Sequence, residues 1–143
     1  MIRFRIAAIG CAMALAAAGC SSSSSSSGAS IPEGAVGVTE QDFSISVSSS
    51  SAAAGDVTFA ITNNGPSAHE FVIIASDEDP ASFEVGDDGT VPEESLDVVD
   101  EQEDIAPGTT PILTTSLDAG SYVFICNLPG HYQQGMHAGF TVT

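Results

Sequence analysis

Tyr122-Val123-Phe124-Ile125-Cys126-Asn127-Leu128-Pro129-Gly130-His131-Tyr132-Gln133-Gln134-Gly135-Met136-His137 is an apolar strand that delivers one cysteine to a short Pro/Gly loop. Within it, Cys126, His131 and Met136 fall five residues apart twice over. Pro129 and Gly130 restrain and turn the backbone, and Gly135 permits a conformation against which other residues strain. A thiolate, an imidazole nitrogen and a thioether on one tight loop suit copper, whose blue sites take two His, one Cys and a weak Met. One histidine is then missing from the loop. His69, just after the turn Asn63-Asn64-Gly65-Pro66, stands where a second strand begins.

Outward from this loop the chain reads as short strands. Val36 to Val47 is rich in β-branched and aromatic residues, and Asp56 to Thr62 alternates apolar with small or polar side chains. That period of two marks a half-buried strand. Further strands are expected over His69 to Ile74, Asp97 to Glu103, Pro111 to Leu117, Tyr122 to Cys126 and Phe140 to Val142. Seven or eight short strands with turns between them and no long helix predict an all-β fold, a Greek-key β-sandwich.

The ligand order His69, then Cys126, His131 and Met136 near the C-terminus, resembles that of the cupredoxins, the blue-copper electron carriers of the plastocyanin, azurin and rusticyanin kind. The resemblance covers about Val36 to Thr143. It implies a sandwich that gathers the loops of one end, so that His69 meets the Cys126 to Met136 loop. It also implies one type 1 copper ion with His69, Cys126 and His131 as equatorial ligands and Met136 as the axial one. Many members carry Asn after the first histidine, where this chain has Glu70, whose backbone N–H can still donate to the cysteine sulfur. The implied function is one-electron transfer, with copper storage or delivery as the alternative. An enzyme such as a copper nitrite reductase or oxidase needs further copper sites, which the three histidines of the chain cannot furnish.

His137 directly follows Met136 and in an extended backbone points the opposite way, outside the site. Tyr132 and Phe71 read as packing residues. The region Ser76 to Asp104 holds 13 of the 19 acidic residues. It reads first as a solvated surface excursion and second as a docking patch for a basic redox partner. Calcium fits it poorly, since no stretch has the spaced oxygen ligands and sixth-position glycine of an EF-hand loop.

At the N-terminus, Arg3 and Arg5 precede an apolar run from Ile6 to Ala18, shorter than the roughly 20 residues that span a bilayer. Residues 1–19 are therefore read as a signal peptide. Ala17-Ala18-Gly19-Cys20 resembles a lipobox, which makes Cys20 the lipidation site. Residues 20–35, with seven consecutive serines, form a flexible tether reaching about 20 Å and leave residues 36–143 as the copper domain. Such an anchor places the domain outside the cytoplasm, at the membrane.

Loss of the leader removes both basic residues and takes the formal charge from −17 to −19. Nucleic acid is excluded as a partner on that ground, and a basic redox protein is favoured. Cys11 leaves with the leader and Cys20 is used for the anchor, so Cys126 stands alone in a domain expected to be monomeric. Metal ligation explains an unpaired thiol in an oxidising compartment.

Overall fold

The computed structural model describes residues 31–143; the expected leader, the expected lipidation site Cys20 and most of the expected tether lie outside the described residues. Strand β1 (Val36–Gln41) buries Val36, Val38 and Glu40 and leaves the residues between them partly exposed. Strand β2 (Ser44–Val47) returns antiparallel with Ser44 opposite Gln41, so Asp42 and Phe43 form the turn of a hairpin. The stretch Val36 to Val47, which the sequence presents as continuous β-forming residues, is thus two strands. No glycine or proline marks the break at Asp42 and Phe43.

Strands β3 (Ser51–Ala52), β4 (Gly55–Asn63), β5 (His69–Ala75), β6 (Val98–Ile105), β7 (Ile112–Leu117), β8 (Gly120–Ile125) and β9 (His137–Val142) bring the number among the described residues to nine. They form two sheets, ordered β2-β1-β4-β7 and β3-β9-β8-β5-β6. Pairing is antiparallel except between β1 and β4 and between β3 and β9. The links β2–β3, β3–β4, β4–β5, β6–β7 and β7–β8 all pass from one sheet to the other, the wiring of a β-sandwich.

Between the sheets, Phe59, Phe71, Phe124 and Phe140 meet at ring-centroid distances of 4.9 to 5.8 Å in tilted and edge-on pairs. Such pairs add to the area they bury. Cys126 and Met136 belong to the same core.

The second sheet is buried on its other face as well. Val72, Ile74, Val123 and Ile125 point away from the sandwich interior and pack against Phe83, Val91 and Tyr132. The acidic region between β5 and β6 therefore lies across this face, its apolar residues inward and most of its carboxylates exposed. Strand β6 carries an extra residue at two places relative to β5, and one of them adjoins His69. There Asp104 adopts a φ of 53°, so the strand bends beside the residue that opens β5.

Candidate metal centre

Asn63, fully buried at the end of β4, builds the turn that leads into His69. Its Nδ2 donates to Ser67 O and Ile105 O, both at 2.8 Å, and its Oδ1 accepts from Gly65 N–H at 2.8 Å. His69 thereby enters β5 with its ring directed into the sandwich, where it has no exposed surface. Parallel pairing of β1 with β4 aligns Glu40 with Asn63. This brings Asp42 beside the same turn.

Strand β8, the antiparallel neighbour of β5 in the same sheet, ends beside the start of β5 and delivers Cys126 there. Its N–H donates to Met136 O at 3.1 Å, and Met136 N–H donates to His131 O at 3.2 Å, which closes the loop on itself. A single 3₁₀ turn, Tyr132–Gln134, fills the interval, and Gly135 ends it at a φ of 115°. That is the left-handed conformation glycine adopts without strain.

Three donor atoms converge. Cys126 Sγ lies 3.3 Å from His131 Nδ1 and 3.9 Å from His69 Nδ1, and the two imidazole nitrogens are 3.3 Å apart. Met136 is fully buried in the same core as Cys126, and among the donors His131 alone is partly exposed. His137 lies outside this group, its ring tilted against Tyr132 with centroids 5.3 Å apart.

Around these atoms the chain supplies orienting contacts. Glu70 N–H donates to Cys126 Sγ at 3.4 Å. Asp42 Oδ1 lies 3.0 Å from His69 Nε2, at ion-pair distance but without a well-aligned hydrogen bond, and Asp42 Oδ2 accepts from the Ser67 hydroxyl at 2.7 Å. That hydroxyl is the main reason the Asp42 carboxyl titrates below its usual range. Gly65 is required beside the pair, since a Cβ there would stand 2.5 Å from Asp42 Oδ1 and 2.8 Å from His69 Nε2. Phe43 meets the His131 ring edge-on at 5.1 Å. Neither Asp42 nor Phe43 carries a sequence signal for a site.

Burial sets the proton chemistry. It pushes the Cys126 thiol up to about 11, against the opposing pull of the Leu128 and Glu70 amides. Burial also lowers His69, more than Asp42 raises it, which keeps the imidazole neutral. Glu40 is fully buried with neither carboxyl oxygen hydrogen-bonded, and burial, then Glu70, push it up to about 8. On the outer face of the sheet, carboxylate oxygens of Glu70, Glu93 and Glu101 come within 4.8 Å of one another. Burial, followed by Glu93 and Glu101, raises Glu70 to about 7.

The donor set fits a metal ion. Three lone-pair donors crowded this closely repel one another unless a proton or a cation lies between them. Separations of 3.3 to 3.9 Å match atoms that each sit roughly 2.0–2.3 Å from one shared ion. A thiolate with two imidazoles selects a first-row metal of copper's softness. A surface groove of about 630 Å³ between Gly86 and Glu94 is lined by Asn127 but by none of the donors.

A family described as the Cupredoxin-like domain matches residues 10–138 of the chain. No curated protein matches it in sequence. Among solved structures, a dithionite-reduced auracyanin from Roseiflexus castenholzii is 21% identical, covers 75% of this chain and 94% of its own, and superposes with a TM-score of 0.56. An azurin from Methylomonas sp. strain J gives 18%, 78%, 99% and 0.54 in the same order. Auracyanin A, a "blue" copper protein from Chloroflexus aurantiacus, gives 21%, 75%, 99% and 0.51. At these identities the likeness is one of fold.

Proposed function

The chain belongs to the cupredoxin-like family, and on that premise we propose that it is a type 1 copper protein, a one-electron carrier rather than an enzyme, tethered through Cys20 to the outer face of a membrane. The observation that carries the reading is the convergence of Cys126 Sγ with the Nδ1 atoms of His69 and His131. These three would hold the ion, with the buried Met136 as the weak fourth ligand. Copper when bound supplies the one-electron couple.

Every other part of the function belongs to the chain. Asp42 sets a carboxylate beside the outer nitrogen of His69, which favours the tautomer with Nδ1 free for the metal. The Glu70 N–H donates to the sulfur and spreads its negative charge. Burial of His69, Cys126 and Met136 excludes water, so substrate has no access and the donors hold their positions as an electron arrives or leaves. His131, partly exposed beside Phe43, supplies the short way out.

The formal charge of −19 after loss of the leader supports a redox partner with a basic docking face, and the one-domain fold supports a monomer. Electrostatic steering makes the rate with such a partner fall as salt rises. Absorption and electron-spin spectra of the copper-loaded protein test the centre, and reversible cycling between cuprous and cupric states tests the carrier role. Absence of thiolate-to-copper charge transfer would refute the first; a copper-loaded protein that does not cycle would instead be a store.

A further inference from the structure

We propose that the segment 80–93 is an outer brace of the ligand loop, with Asn127 and Tyr132 as the positioning residues through which it holds Cys126 and His131 in place. The brace takes its functional meaning from the metal-centre reading and its geometry from hydrogen bonds and a close backbone approach. Asn127 directly follows Cys126, and Tyr132 directly follows His131. Each turns its side chain away from the donors and into this segment.

The Tyr132 hydroxyl donates to Pro80 O at 2.8 Å and accepts from Phe83 N–H at 2.9 Å, while its ring stacks on Phe83. Asn127 Oδ1 accepts from Val91 N–H at 2.7 Å, and its Nδ2 donates to Val91 O at 3.0 Å and to Glu93 Oε1 at 2.6 Å. Between the two, Gly130 N–H donates to Gly89 O at 2.8 Å. Gly89 has a φ of 84°, and a Cβ on it would stand 3.2 Å from Gly130 N. The approach is therefore close enough to need glycine.

Simple coverage of the outer sheet face is already provided by Phe83 and Val91 packed on Val72, Ile74, Val123 and Ile125. Packing of that kind does not need polar contacts that fall on the two residues next to the donors. Those contacts restrain the backbone that carries Cys126 and His131. The acidic exterior of the segment keeps it solvated while its inner edge grips the loop.

The test compares Tyr132→Phe and Asn127→Ala with Tyr122→Phe. Tyr122 also donates from its hydroxyl to a backbone carbonyl, that of Asp118 at 2.9 Å, but in the turn that precedes β8. Two quantities are read: release of copper from the loaded protein to excess chelator, and amide hydrogen exchange of His131, Gln134, Gly135 and Met136 in the metal-free protein. Loss of the two hydroxyl bonds is expected to raise both about fivefold or more in Tyr132→Phe, and loss of three at least as much in Asn127→Ala. Tyr122→Phe should lower the melting temperature and leave both rates unchanged. Loop amides that exchange as in the parent, or an equal acceleration in Tyr122→Phe, would overturn the brace. If Asn127→Ala does not fold, Tyr132→Phe decides alone. A parent protein that binds no copper removes the metal-centre reading, and amide exchange then supports or overturns the brace by itself.

Discussion

Asp42 Oδ1 stands 3.0 Å from His69 Nε2, the ring nitrogen not directed at Cys126. A carboxylate at that distance favours the proton on Nε2 and leaves the Nδ1 lone pair to face the other donors. Burial lowers the His69 pKa and keeps this tautomer neutral near pH 7.

Asp42→Ala should therefore weaken copper binding by about 10- to 100-fold with the charge-transfer band retained. Competition against a chelator of known affinity measures it. Unchanged affinity would mean that the turn through Asn63 orients His69 without help.

Cys126→Ser should abolish the intense absorption, because an alcohol is a harder and far less acidic ligand. Met136→Leu should keep the colour and raise the reduction potential, since a weak axial ligand tunes rather than holds. A Cys126→Ser protein that stayed blue would remove Cys126 from the centre.

Copper binding should release one proton, from the thiol. Cys126 is raised to about 11 and is protonated at pH 7, whereas His69 is already neutral. Apparent affinity should then rise about tenfold per pH unit over the neutral range. Calorimetry in buffers of different ionisation enthalpy counts the proton, and a count near zero contradicts the assignment.

Glu40 should make the metal-free protein less stable as pH rises. Its carboxyl goes from 4.5 to about 8 in the fold, so between those values the unfolded chain binds fewer protons and stability falls with pH. The loss is nearly complete at pH 8 and on the order of 5 kcal/mol. Glu40→Gln should flatten most of the difference between unfolding curves at pH 5 and pH 9, with the remainder from Glu70. An identical pH dependence in the variant would show that Glu40 does not titrate as a buried acid.

Cys20→Ser should release the processed protein from the membrane fraction and leave its copper spectrum unchanged. Fractionation followed by immunoblotting reads the outcome. Retention of the variant on membranes would remove lipidation as the anchor.

The ligand loop is legible in sequence because its chemistry is local: Cys126, His131 and Met136 share one turn of chain. His69 is legible because a turn composition precedes it. Asp42 is not, since it reaches His69 only through the parallel pairing of β1 with β4, which no periodicity announces. The hairpin at Asp42 and Phe43 hides for a related reason, as the turn uses no residue that breaks the pattern. The region after β5 reads as solvated because its carboxylates outnumber its apolar residues. Its packing depends on a few side chains, Phe83 and Val91 above all, too sparse among the acidic and turn residues to register as a strand or a helix.

Glu70, Glu93 and Glu101 bring three carboxylates within 4.8 Å, and no Lys or Arg exists among the described residues to answer them. Protonation of Glu70, raised to about 7, relieves part of the repulsion, and counterions from solution must answer the rest. Their mutual repulsion reaches about 8 Å at 0.15 M ionic strength and about 30 Å at 0.01 M, so dilution of the medium sets the sheet and the segment that covers it pushing apart. Ionic strength therefore does for this cluster what basic side chains do elsewhere, weakening a repulsion that the described chain has no cation to answer.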